Sequence, residues 1–195
     1  MIDASGLPND SGLNGPRLLH PTTTVINSLH NIESVATEGV DDPLGTSCDS
    51  ESSKRRVFTI GYEGLSEAEF LGVLVTERIC KLVDVRDVAF SRKPGFSKTP
   101  LSKMLESSGI SYTHLECLGS PKKTRSEYRR TSDFRAFSRA YLEHLALQSE
   151  SMSKLVSIAS RMPTAIMCFE RDPGKCHRSL IASRMRSMGF EVKDL

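Results

Sequence analysis

The sequence contains no tryptophan, few aromatic residues and no run of about 18 apolar residues. The missing apolar run argues against a transmembrane helix, so we expect no membrane partner and a cytoplasmic location. The cysteine count is five, an ordinary and odd number for 195 residues. This content is unlike that of a disulfide-rich secreted protein, and no collagen or heptad repeat is present.

The net charge of +2 is the sum of two unlike segments. Residues 1–53 carry eight acidic residues and one basic residue, Arg17, which leaves 16 acidic and 25 basic residues in 54–195. Residues 1–53 also lack aromatic residues, and 26 of them are Gly, Pro, Ser, Thr or Asn. Such a segment has too little apolar surface to offset the entropy lost on ordering. We therefore predict a disordered acidic tail over 1–53 and a basic domain over 54–195.

Residues 54–195 alternate between short apolar runs typical of strands and longer runs with helical periodicity. Strands are predicted at 57–60, 82–85, 111–115, 164–169 and 190–195. Helices are predicted to begin after Ser66, which has Glu69 at the capping-box position, after Thr99 and after Asp133. Further helices are predicted around 155–158 and over 177–188, the latter ending before Gly189. The expected fold is a small doubly wound α/β domain, with a mainly parallel sheet and helices on both faces.

The helix following Asp133 has an apolar stripe, formed by Phe134, Phe137, Tyr141, Leu142 and Leu145. Residues at this spacing lie on one face of a helix. The helix is therefore predicted to be amphipathic, with these five residues as its apolar stripe.

Reactive side chains recur where the predicted parallel strands end, which is where such sheets bind ligands. The candidate site residues are Tyr62, Asp84, Arg86, Ser91, Arg92, Cys168, Glu170, Cys176, His177 and Arg178. Because they follow different strands, their convergence on one edge points to a functional site more strongly than any single motif does.

Several motifs, taken in order along the chain, resemble the family catalogued as domain of unknown function 488. They lie at residues 59–64, 83–86, 91–98, 109–112, 118–119, 168–170 and 176–178. The sequence departs from the expected pattern at Ala89, where proline is usual, and at Ser120, where a second glycine is common. The resemblance implies the fold class and the position of the site, but no agreed reaction.

The two thiols near the end of the chain have distinct surroundings in the sequence. Cys176 precedes a predicted helix that begins with His177 and Arg178, and a helix N-terminus lowers the pKa of a nearby thiol. We therefore predict a reactive thiolate at Cys176 or Cys168, with His177 contributing to substrate binding and Arg178 binding an anion. The alternative is an inert buried Cys168 and a structural Arg178.

The remaining candidates also have two interpretations each. Asp84 and Arg86 lie two residues apart, so they either hold a guanidinium ready for an anion or form a structural ion pair. Glu170 is either a general acid or base, its pKa raised by burial, or a carboxylate that orients an arginine. Tyr62 either binds a ligand or is packed at the strand end.

The predictions for ligands follow from charge and spacing. Basic loops at 92–98 and 122–135 border the same predicted edge. They indicate an anionic or phosphate-bearing ligand such as nucleic acid, and the alternative is that they form an ordinary solvated surface. Seven residues separate Cys168 from Cys176, unlike the short spacings of zinc sites, so we expect no metal and no cofactor.

These residues together predict an enzyme acting on a nucleotide or nucleic acid, with Glu170, Cys176, Cys168 and Asp84 as catalytic groups. Ser91, Arg92 and Tyr62 would contact the substrate. Two alternatives remain: a non-catalytic anion-binding module, and a redox protein or sulfurtransferase. The sulfurtransferase alternative rests on a likeness of 82–86 and 168–179 to the two ends of rhodanese-type sulfurtransferases. The loop from Cys168 to Arg178 is longer than the loop of those enzymes, and it holds a second thiol.

Overall fold

The computed structural model describes residues 55–195. The predicted disordered tail, residues 1–53, lies outside this part of the chain. Five strands form one sheet: β1 Arg56–Gly61, β2 Lys81–Asp84, β3 Ser111–His114, β4 Thr164–Cys168 and β5 Glu191–Asp194. Six helices surround it: α1 Glu67–Thr76, α2 Lys98–Glu106, α3 Lys122–Thr131, α4 Phe134–Ala146, α5 Ser149–Ala159 and α6 His177–Ser187.

The sheet order is β3-β2-β4-β1-β5, and every pair is parallel. Side chains alternate between the faces of a strand. In β2, Leu82 packs with α1 and α2 on one face, which we call the α1 face. Its neighbour Val83 packs with α4, α5 and α6 on the other, which we call the α6 face. Two cores therefore cover the sheet, and the predicted doubly wound fold is confirmed.

Several local predictions hold because they depend on neighbouring residues. The Ser66 hydroxyl caps α1 by accepting a hydrogen bond from the Glu69 backbone N–H, and the Glu69 carboxylate accepts one from the Ser66 backbone N–H. The two hydrogen bonds form a capping box. Asp133 caps α4 by accepting a hydrogen bond from the backbone of Ala136. Gly189 follows α6 with a positive φ of 86°, a conformation that favours glycine.

Three predictions about helices are wrong. Helix α2 begins at Lys98, with Ser97 and not Thr99 at the cap position, and the Ser97 hydroxyl donates to the Ser91 carbonyl. Leu142 was predicted on the buried stripe of α4, but it is 48% exposed because the stripe turns away from the core there. The segment predicted as a basic loop after β3 contains helix α3.

Candidate functional site

The carboxyl ends of β1, β2 and β4 lie side by side at one edge of the sheet. Gly61 is aligned with Cys168, and Asp84 is aligned with Met167. The structure therefore brings the predicted residues to one edge, but it divides them between the two faces. Cys168 shares the α6 face with Ile166, two residues earlier, whereas Asp84 shares the α1 face with Leu82.

On the α6 face, two thiols and an imidazole form a buried cluster. Cys168 is 4% exposed, Cys176 1% and His177 5%. His177 Nδ1 lies 3.6 Å from Cys168 Sγ and 3.9 Å from Cys176 Sγ. Cys168 Sγ also donates to Glu170 Oε2 over 3.2 Å. We call these four residues the thiol cluster.

The orientation of His177 follows from its other nitrogen. Nε2 lies 2.8 Å from the Val85 carbonyl oxygen, which can only accept a hydrogen bond, so Nε2 carries a proton. The Nδ1 atom of a neutral His177 therefore presents a lone pair to the thiols. Burial lowers the pKa of His177, but the hydrogen bonds with Cys176 and Val85 and the charge of Glu170 outweigh it, so the pKa is raised.

Cys176 occupies the N-cap position of α6 without a side-chain capping hydrogen bond, and the predicted low pKa is not supported. Burial raises the pKa of the Cys176 thiol well above its ordinary value, and the neighbouring Cys168 adds to the increase. A helix N-terminus carries a partial charge, which is too weak to offset the removal of a thiolate from water. At neutral pH, Cys176 is accordingly a thiol.

On the α1 face, Asp84 and Arg86 form a buried ion pair. Arg86 Nη2 donates to Asp84 Oδ2 over 2.6 Å, and Arg86 Nη1 donates to the Tyr62 hydroxyl and the Phe96 carbonyl, both over 2.9 Å. Tyr112 donates to Asp84 Oδ2 over 2.7 Å. These contacts occupy the guanidinium and the carboxylate within the protein. These contacts favour the structural interpretation of Asp84, Arg86 and Tyr62, and their catalytic and substrate-binding roles stay predictions.

Arg178 is fully buried and fastens the loop that joins Cys168 to Cys176. Its guanidinium donates to the Glu170 carbonyl, to the Arg171 carbonyl over 2.7 Å and to Thr59 Oγ1 in β1 over 3.3 Å. The expected anion-binding role does not fit these contacts, because the loop itself occupies the guanidinium.

The loop after β2 is tied to the end of β1. Lys93 Nζ donates to the Tyr62 carbonyl over 3.2 Å, and the Ser91 hydroxyl accepts from the Lys93 backbone. Arg92 is exposed and free to meet a ligand. The Tyr62 ring stacks on Phe96 at 4.4 Å between centroids.

Sequence analysis did not identify two residues that support the site. Tyr112 in β3 binds Asp84, and Tyr141 in α4 packs its ring edge-on against His177 at 5.1 Å. Tyr112 and His114 share one face of a parallel strand next to Asp84, a spacing that could have revealed the contact. Tyr141 had the sequence signal of an ordinary core residue.

A groove of about 640 Å³ lies between α4, α5 and α6 and contains none of the predicted site residues. Its lining includes Leu142, Met152, Val156 and Met188. Because the reactive groups lie at the sheet edge, we place the candidate site at the thiol cluster and not in this groove. Among residues 55–195, no helix combines the length and apolar character needed to cross a bilayer.

Comparison with known proteins gives one match. The model of the family described as "Domain of unknown function DUF488" matches residues 67–185, more than half of the chain and including the whole thiol cluster. Neither the curated proteins nor the solved structures yield a match.

Proposed function

This chain belongs to the DUF488 family, and from that premise we propose a thiol-dependent enzyme that acts on a phosphate-bearing substrate, with Cys168 as the reacting group. The observation that carries the proposal is the position of Cys168 Sγ, 3.2 Å from Glu170 Oε2 and 3.6 Å from His177 Nδ1. A nucleophile within reach of a base that is itself oriented by a third group is the arrangement used in covalent catalysis.

His177 is the proton acceptor in this proposal, since an imidazole is more basic than a carboxylate. The Cys168 thiol gives its proton to Nδ1, and the thiolate attacks the phosphorus atom of the substrate. The S–P bond forms as the P–O bond to the leaving group breaks, and the protonated His177 returns its proton to the leaving oxygen. Water then hydrolyses the phosphocysteine, which releases phosphate and restores the thiol. The Val85 carbonyl holds the ring in place through Nε2, and Glu170 stabilises the positive charge that forms on the imidazole. Cys176 lies close enough to influence Cys168, although burial keeps it protonated.

The preference for a phosphate-bearing substrate rests on cations around the sheet edge. Arg92 is exposed beside Lys93, which reaches the Tyr62 carbonyl. On the neighbouring side, Arg125 in α3 pairs with Asp87 just after β2, which brings the basic helix to the same edge. Cations bordering a site raise the local concentration of anionic ligands.

Access to Cys168 requires movement of residues 169–175. Arg178 holds the carbonyls of Glu170 and Arg171, and Glu63 accepts a hydrogen bond from the Arg171 backbone over 3.0 Å. Phe169 is 42% exposed at the start of this loop and packs edge-on against Tyr62. A substrate that reaches the thiol would displace this loop.

The test compares turnover by the full chain and by Cys168→Ser, with Cys80→Ser as the control because Cys80 is an exposed thiol. A chromogenic aryl phosphate and thiosulfate serve as probes of phosphoryl and sulfur transfer. We expect aryl phosphate hydrolysis by the full chain and Cys80→Ser, and a loss of at least about a hundredfold in Cys168→Ser. Equal turnover by both variants, or transfer from thiosulfate alone, would refute the proposal.

A second candidate function, non-catalytic binding of nucleic acid, is favoured by helix α3. None of its side chains is buried, and Lys122, Lys123 and Arg129 have no ion-pair partner within residues 55–195. Binding through such a surface weakens steeply with salt. It should persist in Cys168→Ser and weaken in a Lys122→Ala, Lys123→Ala double variant, as measured by fluorescence anisotropy of labelled single-stranded and duplex DNA.

A further inference from the structure

We infer that Cys168, Cys176 and His177 supply three ligands of a site for a thiophilic divalent cation, above all Zn²⁺. This inference rests on the same cluster as the proposed function and deepens it. These three side chains are the one such grouping of His, Cys and acidic side chains found within residues 55–195.

The distances between the candidate ligand atoms match those of a zinc site. Zinc lies about 2.3 Å from a thiolate sulfur and about 2.0–2.1 Å from an imidazole nitrogen, so tetrahedral angles separate sulfur from nitrogen by about 3.6 Å. His177 Nδ1 lies 3.6 Å from Cys168 Sγ and 3.9 Å from Cys176 Sγ. All three ligand atoms lie within 4.8 Å of one another. A cation can therefore enter with small side-chain adjustments.

The orientation of the imidazole is the one that a metal requires. A metal-bound histidine usually donates its second ring nitrogen to a carboxylate or a carbonyl, which directs the free lone pair to the metal. In His177, Nε2 donates to the Val85 carbonyl over 2.8 Å, and Nδ1 faces both sulfurs. Val85 directly follows β2, so the sheet itself holds the ligand in this orientation.

Glu170 lies beside these ligands, with its Oε2 atom 3.2 Å from Cys168 Sγ, but it is not one of the three. The fourth position is therefore left for a water molecule or the substrate, as in catalytic zinc sites. Two thiolates and an imidazole form a ligand set that suits zinc better than magnesium or calcium, which prefer oxygen atoms.

A bound cation would also change the chemical state of the thiols. A coordinated thiol loses its proton outright, because the metal charge replaces the proton. Metal coordination is also one way to activate a cysteine nucleophile. In the metal-bound protein the cation would therefore replace His177 as the group that converts Cys168 into a thiolate.

The seven residues between the two cysteines made a metal site improbable from sequence alone. In the structure the spacing does not prevent a metal site, because β4 and α6 position the ligands and a short loop between them is not needed. Cys168 ends β4, Cys176 and His177 begin α6, and Arg178 holds the intervening loop against β1.

The first experiment measures metal in the purified full chain by elemental analysis, and after replacement by Co²⁺ it records the absorption bands of tetrahedral thiolate coordination. We expect about one zinc per chain, as in a mononuclear tetrahedral site.

Cys168→Ser, Cys176→Ser and His177→Ala should each lower the zinc affinity by more than the roughly 10–100-fold that follows loss of an outer-shell partner. Cys80→Ser and Cys117→Ser, which change exposed thiols, should bind like the unaltered chain. Equal loss in these controls, or retention by the ligand variants, would overturn the inference.

A second measurement uses the unaltered chain and so does not depend on any variant folding. Zinc added to the chelator-treated protein should protect Cys168 and Cys176 from iodoacetamide, while Cys80 and Cys117 react as before, with each site followed by mass spectrometry. Absence of selective protection contradicts the inference. Metal binding without aryl phosphate turnover would refute the proposed function and support the metal site. Turnover by a protein that binds no metal would support the proposed function and refute the metal site.

Discussion

Asp84 and Arg86 form a two-pronged ion pair at the end of β2, with Arg86 Nε 2.9 Å from Asp84 Oδ1 and Nη2 2.6 Å from Oδ2. Burial opposes the charged form of Arg86, but the hydrogen bonds and charge of Asp84 outweigh it and raise the pKa of Arg86. Arg86 therefore stays charged, and the pair joins Tyr62 after β1 to Tyr112 in β3.

Replacing Arg86 should destabilise the domain strongly. Arg86→Met leaves the Asp84 carboxylate buried without its cation, and the loss of one partner of a buried pair costs about 3–5 kcal/mol. Chemical denaturation measures the free energy of unfolding. The control is Arg130→Met, since Arg130 pairs with Glu127 in an exposed position and its replacement should change the free energy of unfolding little. Similar losses in both variants would show that Arg86 has no special structural role.

Gly61 and Gly72 give a matched pair of glycine substitutions with opposite expected signs. A Cβ atom at Gly61 would lie 1.8 Å from the Glu170 carbonyl oxygen, so Gly61→Ala must push the cysteine loop away from β1. Overpacking of this kind costs about 1–3 kcal/mol. Gly72 lies in α1, and a Cβ atom added there would meet no atom within 4 Å. Gly72→Ala should therefore raise the free energy of unfolding by about 0.5–1 kcal/mol. Thermal unfolding of both variants tests the signs, and stabilisation by Gly61→Ala would contradict the close approach.

The elements that sequence analysis predicted correctly depend on local chemistry or on strong periodicity. Ser66 and Glu69 are three residues apart, so their capping box is visible in the sequence. Helix α3 was missed because Tyr128 is its one aromatic or aliphatic side chain and none of its side chains is buried, so the sequence shows no apolar stripe there. Its end at Ser132, with a φ of 55°, has no glycine to mark it.

The sequence placed the candidate residues at one edge of the sheet, and the structure has them there because parallel strands bring their carboxyl ends together. Their division between two faces could not be read from sequence. A shift of one residue in a strand moves a side chain to the opposite face, and predicted strand ends are not known to that accuracy. Cys168 and Asp84 were therefore grouped in one site, although the sheet separates them.

Arg178 should control access to the thiol cluster. Arg178→Lys keeps the positive charge but cannot reproduce the contacts with Thr59 and both loop carbonyls, so residues 169–175 should open more often. We expect iodoacetamide to modify Cys168 at least about tenfold faster in chelator-treated Arg178→Lys, since opening governs exposure of a buried group. Lys175→Ala is the control, because Lys175 lies in the same loop and its pair with Asp172 is exposed. Equal rates in the two variants would mean that Arg178 does not hold the loop.

Tyr112 should make the domain sensitive to alkaline pH. Burial raises the pKa of Tyr112, and the negative charge of Asp84 raises it further. The unfolded chain loses the tyrosine proton near pH 10, whereas the folded chain keeps it to higher pH. The stabilising contribution is therefore complete below about pH 10 and is lost as the pH rises towards the folded pKa.

The free energy of unfolding should fall more steeply above pH 10 in the unaltered chain than in Tyr112→Phe, with urea denaturation as the measurement. Tyr112→Phe should also lose about 1 kcal/mol at neutral pH, because its hydroxyl donates to Asp84. Tyr128→Phe is the control, since the Tyr128 hydroxyl has no hydrogen-bond partner within residues 55–195 and its ring packs on Phe134 and Phe137. It should keep the slope of the unaltered chain. If Tyr112→Phe keeps that slope as well, the hydroxyl does not couple to Asp84, and the alkaline loss of stability arises elsewhere.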